Sequence, residues 1–177
     1  MRKSALSLLA FLAAAPFALA GDGGTSQSVI EALPAKFKDG IMKISADNGT
    51  PEPPEWYVIA KNRDKDGLSH SITVVKGQIT SEKPTLNLRG ILQDAAPINL
   101  SKVMIDSTGA WNIAAKYAAA NGKVLGNASY ALEQKGRSAS PIWSVWCYDP
   151  NVSYLGLLTI LASDGTVLTS EGFPKSP

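Results

Sequence analysis

Cys147 is the only thiol of the chain and His70 the only imidazole, so nucleophilic or metal chemistry would have to be assembled from these two and the carboxylates. A thiol nucleophile needs a base that takes its proton. His70 stands in a different strand-like run, and no motif ties the two together. Cys147 lies within the apolar run Ile142-Trp143-Ser144-Val145-Trp146-Cys147-Tyr148, where a lone cysteine reads as a small buried hydrophobe. Its solitude rules out an intramolecular disulfide; an intermolecular disulfide and a nucleophile are the sharper alternatives. His70, with no second histidine, reads as a sheet surface residue rather than a metal ligand. Asn62-Arg63-Asp64-Lys65-Asp66-Gly67 opens like a calcium loop, but Thr73 stands where the bidentate glutamate belongs. A solvated hairpin turn fits it better. No carboxylate pair sits in a pocket-forming segment, and neither a phosphate-cradling glycine loop nor a serine elbow is present. The expectation is therefore no enzyme, with no catalytic residues, no cofactor and no metal.

The elements that position these residues begin after an export signal. Arg2 and Lys3, the apolar run from Ala5 to Ala15 and the closing Ala18-Leu19-Ala20 have the order of a secretory signal peptide, with cleavage expected after Ala20. The run is shorter than the roughly 20 residues of a membrane helix, and Gly21 stands where a lipoprotein signal would place cysteine. Hence a secreted or periplasmic protein without a membrane anchor after cleavage is expected. Losing Arg2 and Lys3 lowers the basic count from 17 to 15, against 15 acids. A neutral chain without a basic run gives no purchase on nucleic acid. Asn48-Gly49-Thr50, Asn127-Ala128-Ser129 and Asn151-Val152-Ser153 fit the glycosylation acceptor pattern, which counts only in a host that glycosylates secreted proteins; the short signal looks bacterial.

Ser28 as N-cap, followed by Val29, Ile30, Leu33 and Phe37 at helical spacing, predicts a helix over 28–38, kinked or delayed by Pro34. Strands are expected over 41–46, 56–61 and 68–75, the last two joined by the turn at 64–67. Residues 82–99, with Pro84 and Pro97 and little periodicity, read as a linker. A short strand at 103–105 and a helix capped by Asp106 or Ser107, stopping at Gly122, follow. Strands over 124–133, 142–148 and 154–162 lead to a turn at Asp164-Gly165 and a last strand at 166–168.

The strands over 142–148 and 154–162 are apolar on both faces, whereas an antiparallel sheet carrying one helix has one wet face. Something must cover the second side. The other half of the chain is expected there, with a partner protein or a ligand as alternatives. Trp146, Tyr148 and Tyr154 on that face form the candidate partner surface.

The two halves echo each other at an offset of 86 to 88 residues: Trp56-Tyr57-Val58 with Trp143-Ser144-Val145, Thr73-Val74 with Thr159-Ile160, and Gly77-Gln78-Ile79 with Gly165-Thr166-Val167. In the second half, the alanine-rich helix up to Ala120-Asn121-Gly122-Lys123, the tryptophan strand and Leu157-Leu158-Thr159-Ile160 leading into Asp164-Gly165-Thr166-Val167 resemble a PepSY domain. This module occurs in peptidase propeptides and bacterial envelope proteins. The likeness covers residues 101–170, with a fainter copy over 28–80. It implies an α+β fold of two helix-plus-antiparallel-sheet repeats, dividing the chain into a signal peptide (1–20), a first repeat (21–81), a linker (82–99) and a second repeat (100–177). It also implies a noncatalytic role in protein contact, with a peptidase or another envelope protein as partner and inhibition in trans as one form of that role. A small-ligand carrier using the space between the halves is the alternative.

Overall fold

The computed structural model describes residues 23–63, 68–85 and 95–173. The proposed signal, the tip of the 64–67 turn and the centre of the proposed linker lie outside them. Eight strands are formed: β1 (Ile41–Gly49), β2 (Glu55–Lys61), β3 (Ser69–Val75), β4 (Gln78–Thr85), β5 (Asn127–Glu133), β6 (Ile142–Tyr148), β7 (Tyr154–Leu161) and β8 (Val167–Glu171). They make one antiparallel sheet in the order β4-β3-β2-β1-β5-β6-β7-β8. Helices α1 (Ser26–Ala32), α2 (Ala35–Lys38) and α3 (Ser107–Ala120), with a 3-10 turn at Leu100–Lys102, complete the described elements.

This overturns the expected fold class of two helix-plus-antiparallel-sheet repeats of PepSY-like type. Two four-stranded meanders are formed, but their first strands pair with each other, Ile44 opposite Leu132 and Ala46 opposite Tyr130. That pairing satisfies the ladder groups that separate sheets would leave as exposed edges. One core then serves both halves: Phe37, Trp56 and Ile72 belong to the same buried cluster as Trp143, Leu158 and α3's Ala110, Ala114 and Ala118. The other half of the chain therefore lies beside β6 and β7 in the same sheet and not across their second face, as had been expected.

Local chemistry explains the elements. Pro34 ends α1 at Leu33 and supplies the non-helical start of α2, so the single helix expected over 28–38 is two; Thr25 Oγ1, not Ser28, caps the first. Asp106 caps α3 by accepting from the Gly109 amide at 2.8 Å. β4 was not anticipated; residues 82–85, placed in the linker, complete it. Lys76 and Gly77 take positive φ of 50° and 74° between the paired Val75 and Gln78, the two-residue geometry that twists with its strands. The strand expected at 103–105 is instead an extended segment in which the Met104 and Ile105 amides donate to the Ala162 carbonyl.

The helix starts of the two halves are stitched together. The Ser26 amide donates to Ser107 Oγ at 3.2 Å and the Ser107 amide to Ser26 Oγ at 3.1 Å, while Ser107 Oγ also bonds the Pro51 carbonyl. Both serines are buried, so Ser107→Ala strands the Ser26 amide. Its expected cost is about 1–3 kcal/mol, measured as the shift in a denaturant midpoint.

Candidate functional site: the helix-free face of the sheet

Strand alternation sorts side chains to two faces. Trp56, Val58, Ile72, Tyr130, Trp143, Val145, Cys147, Leu158 and Ile160 go to the face that carries the helices and are buried. Trp56 Nε1 donates to the Gly24 carbonyl and Trp143 Nε1 to the Ile105 carbonyl, both at 2.8 Å. Tyr130 sits between the two indoles, with ring centroids 6.1 and 6.3 Å away.

The opposite face carries the candidate surface. Trp146 pairs with Ser129 on β5 and with Leu157 on β7, and Tyr148 pairs with Tyr154 across a bulge. The Tyr148 and Tyr154 rings meet edge to face at 5.8 Å. Trp146, Tyr148 and Leu157 are half-buried and Tyr154 is 55% exposed. The structure thus brings Trp146, Tyr148 and Tyr154 together on one side. No described helix packs over them: α3 lies on the core side of β6 and β7, its Ala110, Ala114 and Ala118 against Trp143 and Leu158.

The register also assembles residues that sequence spacing did not reveal. Ser81, Thr73, Ser45, Ser144, Thr159 and Thr169 fall on one row that crosses the sheet, interrupted by Tyr57 on β2 and Ala131 on β5. Their small hydroxyls keep the middle of this face wettable, and Thr169 Oγ1 bonds Thr159 Oγ1 at 2.9 Å. Toward one end, Lys43 pairs with Glu133 at 2.8 Å. Toward the other stand Asp47, Glu55 and Glu171, beside Tyr57 and Tyr154. Burial first, then the Glu55 and Asp47 carboxylates, hold the Tyr57 phenol above its ordinary value; burial, then Tyr148 and Glu171, do the same for Tyr154. The signal for Tyr57 was present in Trp56-Tyr57-Val58, where an aromatic alternates with two core residues. Its neighbours across the sheet come from pairing alone.

Cys147 and His70 are not brought together. Both point to the core face, on β6 and β3, but four strand spacings, about 19 Å, separate them across the sheet, and they lie toward opposite ends of the strands, His70 level with Ile41 and Cys147 level with Gly49. His70 is 7% exposed, which corrects its reading as a sheet surface residue. Its ring packs on Phe37 at 5.1 Å, and Nδ1 lies 3.2 Å from Glu82 Oε1. Among the described residues no group of three histidine, cysteine or acidic side chains is placed to hold a metal, and no helix is long and apolar enough to cross a membrane.

Cys147 is fully buried, and burial pushes its thiol up to about 12 from 9.0. The neutral thiol belongs to the folded state, so between those values the unfolded chain holds fewer protons. Stability is retained below pH 9 and falls as pH rises towards 12, by up to about 1.4 kcal/mol per pH unit from this group. Cys147→Ala should flatten that slope in denaturant midpoints. The wild-type thiol should resist iodoacetamide when folded and react once unfolded.

Comparison with known protein families, curated proteins and solved structures finds no match to this chain.

Proposed function

We propose that this is a noncatalytic secreted or periplasmic protein that binds a protein partner through the helix-free face of its sheet, with Trp146, Tyr148 and Tyr154 as the anchor. The observation that carries the reading is an aromatic and aliphatic cluster on β6 and β7 whose second side is left uncovered by the described residues. Contiguous apolar surface of this kind marks interaction sites, and tryptophan and tyrosine supply most of the energy at protein contacts. The PepSY resemblance gives the direction in which to look: an envelope protein, with a peptidase restrained in trans as the form to assay first. The small-ligand carrier is the second reading, which the β1–β5 pairing of the two halves supports less than it supports a contact on the open face.

The test is affinity capture by the tagged chain, produced in its own host, from an envelope and culture-fluid extract. A specific protein should be enriched over a bead control and lost with Trp146→Ala at unchanged thermal stability. Enrichment that survives Trp146→Ala and Tyr154→Ala places the contact elsewhere. A captured peptidase would then be assayed directly for inhibition.

A further inference from the structure

The uncovered face has a sign as well as an apolar centre. At its aromatic end Asp47 extends the Ser45 side of β1, Glu55 stands two residues before Tyr57, and Glu171 is opposite Leu157 on β8. None of the three carboxylates is in an ion pair among the described residues. The cation of this face nearest the sheet centre, Lys43, is committed to Glu133 at the other end. Among the described residues, Lys76 and Lys123 at the aromatic end stand in connecting segments and not on strand faces. Asp47 on β1 and Glu171 on β8 are four strand spacings apart, about 19 Å, with Trp146 on β6 midway.

We infer that the partner presents basic side chains on either side of an apolar anchor, the anchor seated on Trp146 and Leu157 and the cations meeting Asp47 and Glu55 on one side and Glu171 on the other. This rests on the proposal that the helix-free face is the contact surface and adds the chemistry of what it takes. Each cation gains twice: a carboxylate to pair with, and the face of Tyr57 or Tyr154 to stack on. An extended segment covers that span in about six residues, so one strand-like stretch of the partner can reach both acidic flanks. Rim carboxylates of this kind also steer a basic partner, which makes the association salt-sensitive.

The probe is a displayed library of random peptides, selected on the full chain and then titrated against three proteins: wild type, the Asp47→Asn, Glu55→Gln, Glu171→Gln triple variant, and Trp146→Ala. The expected result is selected peptides enriched in arginine or lysine flanking an apolar residue. Their binding should fall at least tenfold on the triple variant, and again on raising salt. Peptides without excess basic residues, or bound equally by the triple variant, overturn the inference. If those peptides still lose binding to Trp146→Ala, the contact face stands and only the basic partner falls. Peptides indifferent to both variants overturn the inference and count against the face itself. A selection that yields no binder also overturns the inference.

Discussion

Replacing Trp143 by alanine is expected to cost about 3–5 kcal/mol of stability, whereas the same replacement at Trp146, three residues along the same strand, is expected to cost about 1 kcal/mol. The difference follows from the pleat. Trp143 is wholly buried, stacks edge-on to Tyr130, and its indole N–H satisfies the Ile105 carbonyl just ahead of α3. Removing it opens a cavity in the shared core and takes the indole donor from the part-buried Ile105 carbonyl. Trp146 points to the helix-free face, is half-buried, and gives up area already in touch with water. Denaturant unfolding of both variants checks the contrast, and equal losses would mean that the second face of β6 is covered in solution.

For binding, the order reverses. Trp146→Ala and Tyr154→Ala should each weaken the captured partner by about 2 kcal/mol or more, close to 30-fold, because both aromatics lose contact area that is exchanged for water only in the complex. Lys116→Glu, on the exposed side of α3, should change the affinity by less than about twofold. Titration of purified partner against the three variants, each first shown to melt like wild type, separates contact from fold. A loss at Lys116 comparable with that at Trp146 would move the contact to the helix side.

Much of the local structure was legible in the residues. Asp106 ahead of an alanine-rich run announced α3, and the alternation in 142–148 announced β6 with the right two faces. For the candidate surface, alternation places Trp146 and Tyr148 on one side, but it groups Tyr154 with the core residues Leu158 and Ile160; the register shift at Cys147/Tyr148 is what sets Tyr154 opposite Tyr148. What was hidden depends on partners distant in the chain. Nothing within 41–49 or 127–133 states that β1 and β5 pair, yet that one pairing turns two sheets into one and decides that the apolar second face of β6 and β7 is left open. β4 was hidden for a different reason: Pro84 and the charged pair Glu82-Lys83 suit an edge strand and mimic a linker. His70 misled because a histidine is read as polar, whereas here its ring is packed on Phe37 beneath β3's core face.

The central claim is that the helix-free face meets the partner. The most direct measurement is covalent side-chain footprinting of the protein alone and in complex with its captured partner, read residue by residue. The account predicts that Trp146, Tyr148 and Tyr154 become protected on binding while Trp111 and Tyr117 of α3 keep their labelling. Protection of Trp111 and Tyr117 with Trp146 unchanged would contradict it.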